Sequence, residues 1–275
     1  MASPDRSPAA SVEAELVFEL EDPTTIAVQL AVAQGTPTDT ERLAVDLDGE
    51  PIEPVEVDGG HRSRVHVIEA GAGRLSVRYA ATIPDRDVAA PSPLTLSERL
   101  RWLRQSRYCP SDLAEDFAVH ELGELRGSPT SGRAVGRWVH HRLTYELGSS
   151  GPGDSAIDTL LSGRGVCRDF AHLTVTMCRA LGIPARFVAV YAPGLSPMDF
   201  HAVAEVEGAE GWEIVDSTGL APRSSLVRIA TGRDAADTAL VTTLHGHAEL
   251  LEYAVTAYTL DDLPIDDLDS AVHLP

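Results

Sequence analysis

The chain has 275 residues, with 22 basic side chains against 42 acidic ones and a net charge of −20. That balance excludes binding nucleic acid or an anionic membrane through a basic surface. A hydrophobic share of 43% and a charged share of 23% exclude global disorder, and no stretch reaches the ~20 apolar residues of a membrane span.

Residues 1–10 read as a disordered lead-in without the basic-then-apolar pattern of a signal peptide, so the expected location is cytoplasmic. Segments 13–20, 25–33, 42–47, 62–68 and 74–81 are apolar or alternate apolar with polar. They are separated by turn clusters such as Asp48-Gly49-Glu50-Pro51 and Asp58-Gly59-Gly60. This predicts a small all-β domain over 11–90, with Pro84, Asp85, Pro91 and Pro93 marking a linker. Helical spacing begins near 95. Segments 95–105, 111–122 and 131–147 follow it, the last with Val135, Val139, Leu143 and Leu147 every four residues. After the GSSGPG loop at 148–153 come a short helix over 154–161 and a strongly apolar helix over 167–181, closed by Gly182 and Pro184. Strands are expected at 185–191, 200–206, 212–215, 239–243 and 248–259, in a second domain over 91–275. The acidic tail after Asp261 reads as solvated.

Three cysteines, Cys109, Cys167 and Cys178, make an odd count with no CxxC pair, which fits free thiols in a reducing compartment. Cys167 follows a glycine-containing turn and opens a helix. Free N–H groups and the helix dipole there favour a thiolate. Cys178 lies about 16 Å along the same helix at ~1.5 Å per residue, among apolar residues, and reads as core. An acylating thiolate needs a base, and the base needs an orienting carboxylate. A hairpin turning about Gly208-Ala209 sets His201 directly opposite Asp216 on one sheet face. A slip of one residue would separate them. His172 sits about 140° around the helix from Cys167 and faces elsewhere, and His140 and His141 read as packing or surface residues. His245 and His247 share strand spacing but lack further ligands. No calcium loop, phosphate-binding glycine loop or G-x-S-x-G pattern is present, so the residues imply no cofactor and no metal.

Three strings, SGRGVCRDFAHL at 162–173, DFHAVAEV at 199–206 and GWEIVDST at 211–218, resemble the core motifs of the transglutaminase-like superfamily of papain-like cysteine enzymes. The order Cys, His, Asp and the spacings of 34 and 15 residues are similar to that family's. SRYCPSD at 106–112, WVHHRLTY at 138–145 and a β-rich leading domain are similar to its bacterial two-domain members. The resemblance implies an α+β fold, in which a helical lobe carrying Cys167 packs on an antiparallel sheet carrying His201 and Asp216. It implies acyl transfer at a peptide or isopeptide amide through a thioester, with Cys167 as nucleophile, His201 as general base and acid, and Asp216 as the orienting residue. Water as acceptor gives a peptidase or amidase, and an amine gives a transglutaminase. Net hydrolysis is the expectation, because no amine-binding feature stands out. The expected partner is a peptide or protein amide substrate.

Tyr108, Trp138 and Tyr145 are open candidates for a second oxyanion donor beside the Cys167 N–H. Arg168 either strengthens thiolate character or makes structural ion pairs. Trp212 either shields the His–Asp pair or packs. Two other readings compete. One is a non-enzymatic peptide-binding or assembly module in which Cys167 is inert. The other is a redox sensor with Cys109 as the resolving thiol.

Overall fold

The computed structural model describes residues 6–88, 92–128 and 130–275; residues 1–5 of the expected lead-in and Pro91 of the expected linker lie outside these. In chain order the first elements are β1 (Arg6–Ser7), β2 (Ala10–Leu20), β3 (Thr24–Val28), β4 (Thr40–Leu47), β5 (Glu50–Ile52), β6 (Val55–Gly60), β7 (Ser63–Ala70), β8 (Gly73–Ile83) and β9 (Arg86–Asp87). The helices follow, as α1 (Leu96–Trp102), α2 (Glu115–Leu122), α3 (Ser131–Arg142), α4 (Ala156–Ser162) and α5 (Cys167–Ala180). The two-residue strands β10 (Thr144–Tyr145) and β11 (Arg164–Gly165) lie among them. Strands then return as β12 (Ala185–Tyr191), β13 (Phe200–Glu207), β14 (Trp212–Val215), β15 (Val227–Gly232), β16 (Val241–His245) and β17 (Ala248–Thr259). The fold is α+β with mostly antiparallel sheets, as the sequence implied.

Alternation builds the N-terminal part. In β2, Val12, Ala14, Leu16, Phe18 and Leu20 are buried, while Glu13, Glu15 and Glu19 are exposed, the two-residue period of a half-buried strand. Two sheets, ordered β17-β2-β8-β4-β5 and β16-β3-β7-β6, enclose a shared apolar core that includes Leu16, Phe18, Ile26, Ile68 and Val77. The strands over 241–259, which the sequence placed in the 91–275 unit, complete these sheets. β17 pairs along all of β2, β16 pairs with β3, and Val255 and Ala257 enter the N-terminal core. His245 and His247 do not share one strand. Gly246 turns between them at φ 76°, where an added Cβ would lie 2.4 Å from the Thr24 hydroxyl.

The third sheet, β14-β13-β12-β15, carries α3 and α5 against it. Their common core holds Val135 and Val139 from α3, Phe170, Leu173 and Met177 from α5, and Ala204, Val206 and Val215 from the strands. Glycines allow α3 to approach closely. A Cβ on Gly132 would sit 2.2 Å from Val206, and one on Gly136 would sit 2.2 Å from Val215. The tail after Asp261 is mostly exposed, as expected, but it is also docked. Asp266 and Asp267 pair with Arg223, Asp269 pairs with Arg137, and the Val272 carbonyl accepts from the Ile214 N–H. The sequence offered no strand at 227–232, and β15 fills that place beside β12. Among the described residues no helix is long and apolar enough to cross a membrane.

Candidate active site

Cys167 is the first residue of α5 and is half-buried. The turn before it is fixed by its neighbours. The buried Asp169 carboxylate accepts the Val166 N–H at 2.9 Å, and Gly165 leaves room for Asp169, whose Cβ would lie 2.6 Å from a side chain there. Arg168 serves structure. It pairs with Asp169 at 2.9 Å and donates to the Gly151 carbonyl at 2.8 Å, tying the 148–153 loop to the helix start. The other two thiols are enclosed. Burial pushes Cys109 and Cys178 up to about 12, and the Cys109 S–H points at the His172 carbonyl. Full enclosure counts against Cys109 as a resolving thiol.

His201 is the second residue of β13, opposite Val190 of β12. The hairpin that follows is centred on Ala209-Glu210 rather than Gly208-Ala209. Ala204 therefore pairs with Val215 and Glu205 with Ile214. The ladder is displaced by two residues from the expected register. Because side chains alternate with a period of two, an even displacement keeps both residues on one face. Asp216, one residue beyond β14, becomes a diagonal neighbour of His201 rather than a direct one. The two still meet, with Nε2 of His201 2.9 Å from Oδ2 of Asp216 and both side chains 1% exposed.

Asp216 is fixed from its other oxygen, where Oδ1 accepts the Thr218 N–H at 2.9 Å and the Thr218 hydroxyl at 2.6 Å. The intervening Ser217 is held by Thr174 of α5, at 2.7 Å between hydroxyls, and its carbonyl lies 2.9 Å from His140 Nδ1. The role of Thr218 was foreshadowed by the Asp-x-Thr string, a local side chain-to-backbone turn pattern. Nothing in the sequence pointed to Thr174 or His140.

Burial pushes His201 down, but the Asp216 charge, the hydrogen bond to it and the neighbouring Cys167 outweigh burial and lift it from 6.5 to about 10. Burial likewise pushes Asp216 up, yet the His201 charge and the hydrogen bonds from His201 and Thr218 hold it below the usual carboxylate range. With Nε2 engaged, Nδ1 of His201 is buried and carries no formed hydrogen bond, facing a requirement that the adjacent thiol can meet. His172, by contrast, is fully buried, accepts the Ala235 N–H, and is pushed down to about 4, first by burial.

Of the three aromatic candidates, Tyr108 stacks on His172 and Trp138 packs edge-on to Phe117. Tyr145 alone lies beside Cys167. The predicted helix over 131–147 ends early, at Arg142, because Leu143 turns extended (ψ 147°). Tyr145 then pairs with Gly165 in a parallel bridge two residues before the cysteine. Burial and the Cys167 charge raise Tyr145 to about 12, while a hydrogen bond from the Cys167 N–H opposes them. Trp212 does not shield the His–Asp pair. It stacks on Arg186 at 4.0 Å, toward the other end of the sheet.

The profile of the transglutaminase-like superfamily matches residues 119–217, the span that contains Cys167, His201 and Asp216. The crystal structure of a candidate cysteine protease from Cytophaga hutchinsonii aligns over 96% of both chains at 31% identity and a TM-score of 0.86. The chain belongs to the transglutaminase-like superfamily. An uncharacterised protein of Mycobacterium leprae is 36% identical over 117 residues, and the match spans 41% of that protein's length.

Proposed function

We propose that the protein is a cysteine-dependent acyl-transfer enzyme acting on peptide or isopeptide amides. The observation that carries this reading is the buried His201–Asp216 pair at 2.9 Å, set beside a half-buried cysteine at a helix N-terminus. Cys167 Sγ attacks the amide carbonyl, and the C–N bond breaks as His201 delivers a proton from Nδ1 to the leaving amine. This leaves a thioester on Cys167. Asp216 keeps the imidazole oriented and stabilises its protonated form. The oxyanion is received by the Cys167 N–H and the Tyr145 phenol, once the bound carbonyl oxygen displaces the hydrogen bond that this N–H gives the phenol oxygen in the free enzyme. Water, activated by His201, then releases the acid. Net hydrolysis is favoured because water is always available, while transglutamination remains the amine-accepting form of the same chemistry. The Cytophaga hutchinsonii relative, described as a candidate cysteine protease, supports the hydrolytic form. Three free thiols fit a reducing, cytoplasmic setting.

The test is a peptide-library screen with and without a fluorescent primary amine, read by mass spectrometry for free acid and for amine incorporation. Turnover by the wild type and none by Cys167→Ala is expected. Wild-type turnover by Cys167→Ala on the same substrate refutes the reading. So does a Cys167 that iodoacetamide leaves unmodified at neutral pH, and that second result favours the binding-module alternative.

A further inference from the structure

A second cluster of charged side chains lies on the same face of the third sheet as His201, four residues along β13 and roughly 13 Å away at ~3.3 Å per residue. Here Arg186, Glu205, Trp212, Arg228 and Thr231, with Arg62 from the turn between β6 and β7, line a cavity of about 330 Å³. The charges do not balance. Glu205 is the one acidic side chain among the described lining residues, and it is already fully engaged. Its Oε2 accepts from Arg186 Nε at 2.6 Å and Arg228 Nη1 at 2.8 Å, and its Oε1 accepts from Arg228 Nη2 at 2.6 Å. Burial pushes Glu205 up, yet the two guanidinium charges hold it down to about 2. Three guanidinium groups therefore line the cavity with one acidic side chain, and Pro275, the last residue of the sequence, stands in the same wall.

Donors are left over as well. Nε of Arg228, a side chain 4% exposed, is buried without a partner. Nε of Arg62 donates to the Gln34 carbonyl at 2.7 Å, while its terminal nitrogens, like those of Arg186, have no hydrogen-bond partner among the described residues. Burial lowers Arg62, and the largest charge effect on it is repulsion from Arg228. Arg86, next in line, is buried with Nε and Nη1 unpartnered and is pushed down to about 10 by burial and by Arg62, against the pull of Asp85. His61 and Arg62 hold left-handed backbone conformations, φ 52° and 70°, which non-glycine residues adopt at a cost. The Arg62 carbonyl accepts the Gln34 N–H at 2.7 Å, which fixes that turn over the cavity. In a chain with 42 acidic and 22 basic side chains, gathering three guanidinium groups around one cavity with a single acidic side chain between them is unfavourable unless a further anion approaches. Guanidinium groups are the side chains whose fork geometry suits planar carboxylates and phosphates.

We propose that this cavity binds a small molecule bearing a phosphate or carboxylate group, gripped between Arg62 and Arg186 above the Arg228–Glu205 pair. The site is separate from Cys167, and the inference does not depend on the acyl-transfer reading.

The test is thermal unfolding of the full chain titrated with inorganic phosphate and, in parallel, with succinate, at constant ionic strength set by sodium chloride. Arg62→Gln is the matched variant, because Arg62 lies at the exposed rim and its loss leaves the Arg186–Glu205–Arg228 cluster intact. The expected result is a saturable rise in Tm of roughly 3 °C at about tenfold excess over Kd, with the midpoint weakened at least about tenfold in Arg62→Gln. The anion giving the tighter midpoint identifies the headgroup. A linear, unsaturated rise shared by both proteins is a general salt effect and overturns the proposal. So does a flat response to both anions, or an Arg62→Gln midpoint equal to the wild-type one.

Discussion

Replacing Asp216 by Asn tests the heart of the site, because the carboxylate charge is lost while size and much of the hydrogen bonding are kept. In the wild type His201 is lifted from 6.5 to about 10 against the opposing effect of burial. At ~1.4 kcal/mol per unit that is about 5 kcal/mol in favour of the imidazolium, to order of magnitude. Without the Asp216 charge only Cys167 opposes burial, and His201 should titrate well below its wild-type value in the variant. Ring-selective NMR of the histidines, with His201→Ala to assign the signal, measures this directly. Stability follows with a definite sign. Between about pH 6.5 and 10 the folded wild type holds a proton that the unfolded chain has released, so the contribution of the pair is full below 6.5 and is lost as pH rises toward 10. Urea midpoints of the wild type should therefore fall relative to Asp216→Asn across that window. Turnover, and alkylation of Cys167 at pH 7, should drop roughly 10²–10⁴-fold, the usual scale for a disabled acid–base partner. A His201 signal that titrates alike in both proteins, or alkylation unaffected by the substitution, would refute the coupling of Asp216, His201 and Cys167.

Tyr145→Phe removes the proposed oxyanion donor while leaving the Cys167 thiol itself unchanged. Its kcat should fall roughly 10²-fold with KM and Cys167 alkylation nearly unchanged, and an unchanged kcat would exclude the phenol from the oxyanion site. Cys178→Ala, in a fully buried position, should cost about 1–2 kcal/mol in urea unfolding while turnover per folded molecule stays at the wild-type level. Gly136→Ala places a methyl group 2.2 Å from Val215 Cγ1. Pushing α3 away from β14 should cost about 1–3 kcal/mol and slow turnover further by moving the neighbouring Asp216, as steady-state kinetics alongside urea midpoints would show.

Much of this arrangement is local and so was legible in the residues. Alternation in 13–20 and 74–81 marked strands because each has one buried and one wet face. The 167–181 run marked a buried helix, and its glycine-rich entry put Cys167 at the N-terminus. Parity, the one property of the hairpin that the chemistry needs, survived an error of two residues in register, because a strand repeats its facing every second residue. What the sequence could not fix were meetings between distant segments. Strand β17 reads as a strand in isolation, but its pairing with β2, where even the nearest partners, Leu20 and Ala248, are 228 positions apart, is settled by which open sheet edge lies close enough to take it. Tyr145 was one of three equal aromatics until Leu143 ended α3 and the bridge to Gly165 carried the phenol to Cys167. The same holds for Arg62, Arg186 and Arg228. Each is an ordinary arginine in its own segment, and only the folding of the β6–β7 turn over the third sheet gathers them around one cavity. Periodicity and capping are written in neighbouring residues, whereas charge clusters and second donors arise from contacts that only tertiary packing makes.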